Sequence, residues 1–118
     1  MRIGELAKKS GVSKHTIRFY ERLGLLSSTP VEAGSRHYGD YSERSIEAIG
    51  RIRRFQELGF SLNEIKKHVR NSEFQTSFSN EELESVLKPK LKELKDKRDS
   101  LNKLIDFLEK KLSGEIQR

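Results

Sequence analysis

Apolar residues along this chain recur first with helical spacing, then lose it, then regain it in a longer form. Ile3, Leu6 and Ala7 fall at i, i+3 and i+4, one apolar face of a helix predicted over about residues 3–9. Gly11 follows and is free to take the left-handed conformation that a sharp turn needs. Ser13 then stands where an N-cap accepts a backbone N–H, opening a second helix over about residues 14–23. That helix sets Lys14, Arg18 and Glu21 on one face and Ile17 on another, and Gly24, Leu25 and Leu26 close it. From Ser27 to Gly39 the chain reads SSTPVEAGSRHYG and helical spacing is gone. Pro30, Gly34 and the small polar residues mark turn chemistry, and the apolar flanks Leu26, Tyr38 and Tyr41 make the segment a β-hairpin wing.

Helical spacing returns at Ser42, with Glu43 in the first turn. Ile46, Ile49, Ile52 and Phe55 recur every three residues, and Gly59 ends this third helix. Ser61 with Glu64 is a capping box for a fourth, whose apolar face is Leu62, Ile65 and Val69. Residues 71–79, NSEFQTSFS, read as a connecting loop pinned by Phe74 and Phe78. Ser79 with Glu82 is a second capping box, and a long helix runs from there to near Gly114. Along it Leu87, Leu91, Leu94, Arg98, Leu101, Ile105, Leu108 and Leu112 alternate steps of four and three residues, a heptad seam interrupted only by Arg98. The sequence contains no second long helix, so the seam predicts pairing with another copy of the chain in preference to packing on its own N-terminal part. Pro89 conflicts with an uninterrupted helix. Either the helix bends there, or it starts near Lys88 and residues 80–87 form a separate turn.

These elements predict a mainly α fold: a winged helix-turn-helix over residues 1–70, a loop over 71–79, a coiled-coil helix over 80–113 and a polar tail over 114–118. Composition sharpens the picture. The 118 residues carry a formal charge of +6. Residues 1–70 hold 14 lysines and arginines against 8 acids, while residues 71–118 hold 10 of each. All the excess positive charge therefore lies with the helix-turn-helix, whose second helix has the shape that enters a DNA major groove. The absence of cysteine excludes disulfides, thiolate metal sites and thiol redox chemistry. No apolar run approaches the ~20 residues of a membrane span, nor does the start resemble a signal peptide, which predicts a cytoplasmic protein with no membrane partner. His15, His37 and His68 are scattered without metal-ligand spacing, so no metal or cofactor is expected. Nor is an enzyme: no nucleophile–base pair or phosphate loop is present, and Glu93, Asp96 and Asp99 lie among lysines as a solvated face.

In order, GELAKKSGVSKHTIRFYERLGLL, the turn-rich wing, YSERSIEAI, LGFSLNEI and a heptad helix resemble the MerR family of bacterial transcription regulators. The likeness is close over about residues 1–70 and one of kind thereafter. It implies a homodimer joined by an antiparallel coiled coil, bound to a pseudo-palindromic operator in double-stranded DNA. Such a dimer distorts promoter DNA and so reaches RNA polymerase indirectly, through indirect readout. Carried over residue by residue, Ser13, Lys14, Thr16, Arg18 and Tyr20 match recognition-helix positions that contact DNA. Arg18 suits guanine or phosphate, Lys14 and Ser13 suit phosphate, and Tyr20 suits DNA and core equally. His15 faces outward near Arg18, as a DNA contact or a solvated residue. Arg53, with Arg51 and Arg54 beside it, is a candidate phosphate contact on the third helix.

The chain departs from the family in two places. Phe19 stands where a tyrosine is frequent. The family's Gly-Tyr-Arg-x-Tyr wing ending aligns with Tyr38-Gly39-Asp40-Tyr41 if Gly39 replaces the arginine, or alternatively with Arg36-His37-Tyr38 and three inserted residues. The first alignment is preferred; it makes Arg36 or His37 the substitute cation and sets Tyr38 and Tyr41 with them as DNA contacts on the wing. The effector is unassigned, since the cysteine ligands of metal-sensing relatives are missing. A small ligand near Phe74 and Phe78 is one expectation, ordinary core packing of these rings the other. The alternative for the whole chain is an architectural, excisionase-like DNA-bending protein without an effector.

Overall fold

The computed structural model describes residues 1–68 and 78–114. The chain divides into two compact units, residues 1–78 and 79–118. The first contains α1 (Ile3–Ser10), α2 (Lys14–Arg22), β1 (Thr29–Ala33), β2 (Arg36–Asp40), α3 (Arg44–Glu57) and α4 (Leu62–His68). The second contains α5 (Asn80–Ser113).

Helix α1 ends because Gly11 turns left-handed at φ 77°, its N–H reaching back to the Ala7 carbonyl. Two residues on, the Ser13 hydroxyl accepts the Thr16 N–H at 3.1 Å and starts α2. Leu6 from α1, Ile17 and Tyr20 from α2, Leu25 and Leu26 after it, and Ala48, Ile49 and Ile52 from α3 make the core. The antiparallel wing pairs Thr29 with Asp40 and Ala33 with Arg36. Where β2 runs out, the Tyr41 N–H donates to the Met1 carbonyl at 2.7 Å. The Met1 nitrogen donates in turn to the Tyr41 carbonyl at 2.7 Å and to Asp40 Oδ1 at 2.8 Å. The wing is thereby tied to the entry of α1.

Helix α3 starts two residues later than expected, with Glu43 at its N-cap position. The chain enters through a tight turn whose Ser45 and Ile46 N–H groups bond the Ser42 and Glu43 carbonyls, each at 3.1 Å, so the first donors need no side chain. A strict three-residue spacing also drifts around a 3.6-residue helix. Ile46 is accordingly only half-buried, and Ser45 and Ala48 fill the core beside Ile49, Ile52 and Phe55. Both arms of the capping box at α4 are made, Glu64 N–H to Ser61 Oγ at 3.2 Å and Ser61 N–H to Glu64 Oε1 at 3.1 Å. Ile65 is buried below it, while Val69 lies outside the described residues. Phe55, Phe60, His68 and Phe78 form an edge-to-face aromatic cluster with ring separations of 5.2 to 6.1 Å.

In the second unit α5 runs unbroken through Pro89, so residues 80–87 are not a separate turn. The capping box closes on Ser79, with Glu82 N–H to Ser79 Oγ at 3.1 Å and the return bond at 3.2 Å, and nucleates the helix upstream of the proline. Pro89 then leaves the Ser85 carbonyl without its usual donor, a local penalty that the surrounding turns carry. Gly114, left-handed at φ 80°, ends the helix, and the rest of the predicted tail lies outside the described residues.

Gly39 is glycine for a packing reason. A Cβ there would sit 2.5 Å from Ser28 Oγ and 2.9 Å from Ser28 Cβ. We expect Gly39→Ala to destabilise the unit by about 1–3 kcal/mol, as overpacking does. Combining it with Ser28→Gly should recover most of the loss in thermal denaturation. A double variant no more stable than Gly39→Ala alone would remove Ser28 as the cause.

A candidate nucleic-acid interface

Burial divides α2 into two faces. Ile17 and Tyr20 are buried, and Lys14, His15, Arg18, Phe19 and Arg22 are exposed on the other side. On a 100° wheel His15 and Arg22 top the outer ridge, with Arg18 and Phe19 flanking. The Arg22 guanidinium lies over the Phe19 ring, 5.4 Å from its centroid. Ser13 and Thr16 sit at the start of the helix with their hydroxyls 2.9 Å apart. Helix start, cationic ridge and wing give a surface suited to a polyanion.

Two aromatic candidates belong to the core instead. Tyr20 is 3% exposed, its hydroxyl donating to Gln56 Oε1 at 3.3 Å, and burial raises its pKa despite the nearby Arg53 charge. Tyr41 is 5% exposed, its hydroxyl bonded to the Glu21 carboxylate and to Ser28. Burial, and then the Glu21 bond and charge, push its pKa far above the usual range, with the Ser28 bond and then the Arg18 charge pulling the other way. Glu21 Oε1 is itself buried without a hydrogen-bond partner among the described residues. Neither tyrosine reaches the surface, so both act as supports: Tyr20 seats α2 on α3, and Tyr41 joins α2 to the wing.

The remaining candidates are scattered over neighbouring elements. Arg53 is exposed but donates from Nη1 to the Ser10 carbonyl at 3.3 Å, which ties α3 to the last turn of α1. Arg51 is half-buried, and desolvation lowers its pKa, whereas Arg54 is exposed. On the wing Arg36 is exposed, His37 Nδ1 lies 3.5 Å from the cross-strand Glu32, and Tyr38 is half-buried. The sequence reading missed Arg22 and Arg2. The first was findable as the i+3 neighbour of Phe19, but the second, over Tyr38, had no local signal. Phe78 packs edge-on against Phe55 at 5.6 Å, and Phe74 lies outside the described residues. Along α5 the seam faces solvent within the single chain: Leu91, Leu94, Leu101, Ile105, Leu108 and Leu112 are 42 to 88% exposed. Arg98 is exposed beside Asp99, Nη2 to Oδ1 at 3.2 Å, and Leu87 is half-buried.

The chain matches two family descriptions, "MerR HTH family regulatory protein" over residues 1–72 and "MerR, DNA binding" over residues 46–111. It is 53% identical over 66 residues to the mercuric resistance operon regulatory protein of Bacillus cereus, covering 56% of this chain and 48% of that one. It is thus matched to about half the length of that relative. With the transcriptional regulator YfmP of Bacillus subtilis it shares 33% identity over 115 residues, 95% of this chain and 80% of the other. Among solved structures it resembles the transcription regulator PbrR691 of Ralstonia metallidurans, crystallised with lead(II), with a TM-score of 0.73 and 28% identity over 92% of this chain and 82% of that one.

The Tyr41 hydroxyl makes a pH prediction. Its folded-state pKa is raised, so its contribution is complete below the unfolded value of about 10 and is lost as pH climbs above that toward the folded value. Tyr41→Phe should therefore flatten the alkaline fall in stability, and should cost about 1–3 kcal/mol at neutral pH by depriving Glu21 of a donor. Denaturation midpoints from pH 8 to 11 check this; identical alkaline slopes in both proteins would count against the bond.

Proposed function

The chain belongs to the MerR family of helix-turn-helix regulatory proteins, and on that premise we propose that it is a sequence-specific DNA-binding transcription regulator acting as a homodimer. The observation that carries the reading is the exposed face of α2, with the cations Arg18 and Arg22 beside His15 and Lys14 at its edge, together with the wing. Arg18 reads a base or grips phosphate, and Lys14 and the Ser13 end of α2 hold the backbone. Pairing two such units on a pseudo-palindrome lets the protein deform the DNA between half-sites and act on RNA polymerase through the promoter.

The exposed seam of α5 supports the dimer, and its charges favour the antiparallel arrangement. A parallel, in-register pair would face Arg98 with Arg98 of the second copy. The antiparallel register that seats Arg98 against Leu101 of the second copy brings Lys88 opposite Glu109 instead. Lys90 weighs on neither arrangement, being buried and bonded to Glu93 at 2.6 Å within its own chain.

Capturing genomic fragments on the purified protein tests the reading. Inverted repeats within promoters are expected, whereas fragments without repeats, or clustered at a recombination site, would favour an architectural protein. On a recovered site, Arg18→Ala should weaken binding by about 1–3 kcal/mol and relax specificity at one base; an equal loss on all sequences would make Arg18 a phosphate contact. Leu101→Glu should yield monomers in sedimentation and much weaker site binding, and a surviving dimer would overturn the seam.

A further inference from the structure

Arg2 stands immediately before α1, and its guanidinium lies over the ring of Tyr38, 4.1 Å from the centroid. Tyr38 is the middle residue of β2, paired with Val31 across the wing. At the base of the wing the strands themselves bring no cation. Thr29 and Pro30 are uncharged, Gly39 has no side chain, and Asp40 is an acid. Gly39 cannot be given a side chain while Ser28 stays in place, since its Cβ would lie 2.5 Å from Ser28 Oγ. The wing's own cation is at its tip, Arg36 beside the turn, where His37 also lies within 3.5 Å of Glu32. Without Arg2, the end of the wing nearest the helix-turn-helix would offer a polyanion only a bare backbone and the Met1 ammonium, already paired with Asp40.

Asp40 does not draw Arg2 away. Its carboxylate accepts from the Met1 nitrogen at 2.8 Å, and among the described residues Arg2 forms no ion pair. Stacking engages only the flat face of a guanidinium. The N–H donors lie in its plane and stay available for phosphate oxygens, while the ring removes side-chain freedom before any ligand arrives. We infer that Arg2, held on the ring of Tyr38, is a phosphate-gripping residue of the DNA interface, with Tyr38 as its positioning residue. The inference rests on the DNA-binding reading above. It departs from the wing expected from sequence, in which Arg36 or His37 supplies the cation and Tyr38 itself meets DNA.

The test uses the full chain and a labelled genomic fragment that it retains, with affinity measured over a series of salt concentrations. Arg2→Ala should weaken binding about tenfold at low salt and reduce the slope of log affinity against log salt by about 0.9, the loss of one phosphate contact. Arg2→Lys should restore most of the slope. Tyr38→Phe keeps the ring and should bind like the wild type, while Tyr38→Ala should match Arg2→Ala and add nothing to it in the double variant. Melting temperatures of the Arg2 and Tyr38→Phe variants equal to wild type exclude unfolding as the cause. Wild-type affinity and slope in Arg2→Ala would overturn the inference alone, and so would a Tyr38→Phe protein as weak as Tyr38→Ala, which would put the hydroxyl on the DNA. A wild-type protein that retains no DNA would overturn the regulator reading and this inference with it.

Discussion

The N-terminal unit depends on the burial of two side chains from a nine-residue helix. Ile17 and Tyr20 are the only fully buried residues that α2 commits to the core, and together they fix its rotation about its own axis. That rotation sets Lys14, His15, Arg18 and Arg22 on the far side. The hydroxyl of Tyr20 adds direction to what would otherwise be sliding apolar contact, because Gln56 on α3 accepts it at one point only. Arg53, on the same helix as Gln56, reaches the Ser10 carbonyl at the turn, so α3 grips the motif at both ends.

The wing is coupled to that frame through polar bonds in a place where polar bonds are strong. Glu21, Tyr41 and Ser28 link the inner face of α2, the residue after β2 and the residue before β1. Because Tyr41 is buried, losing its bond would leave the Glu21 carboxylate poorly satisfied in low dielectric, which makes the arrangement stiff. The close approach of Ser28 to Gly39 follows from the same packing. A two-stranded hairpin is marginal by itself. Here it inherits rigidity from Met1, Arg2 and Tyr41, and so can hold cations at a constant distance from α2.

What the sequence made legible was whatever is decided within a few residues. Gly11, Ser13 and the capping boxes at Ser61 and Ser79 stand where expected because their bonds span three or four residues. The side on which an aromatic residue falls is decided at long range. Tyr20 looked equally suited to DNA and core until Gln56, 36 residues away, supplied its partner. Tyr41 was assigned to the wing surface, yet the chain beyond β2 turns it inward onto Glu21. Arg2 and Tyr38 are likewise far apart in sequence, and no periodicity joins them. Helix α3 begins at Arg44, two residues beyond Ser42, because a backbone turn precedes it. Pro89 was overridden by the capping box upstream of it.

The second unit poses a problem of partnership that its own sequence cannot solve. A helix of 34 residues is about 50 Å long, and its apolar seam lies open from Leu91 onward. Ion pairs such as Lys92–Asp96 and Lys88–Glu84 are exposed and contribute little each. Removing the seam from water is the larger available term, because several leucines together outweigh surface pairs that are screened by salt. If a second copy covers the seam, the stability of α5 is inseparable from protomer concentration. Arg98, charged in an otherwise apolar row, then selects among alignments: it is tolerable opposite Leu101 and unfavourable opposite another Arg98. One charged residue in the seam thereby favours the antiparallel dimer, whose two-fold axis lies across the coil and would be mirrored by a pair of DNA half-sites.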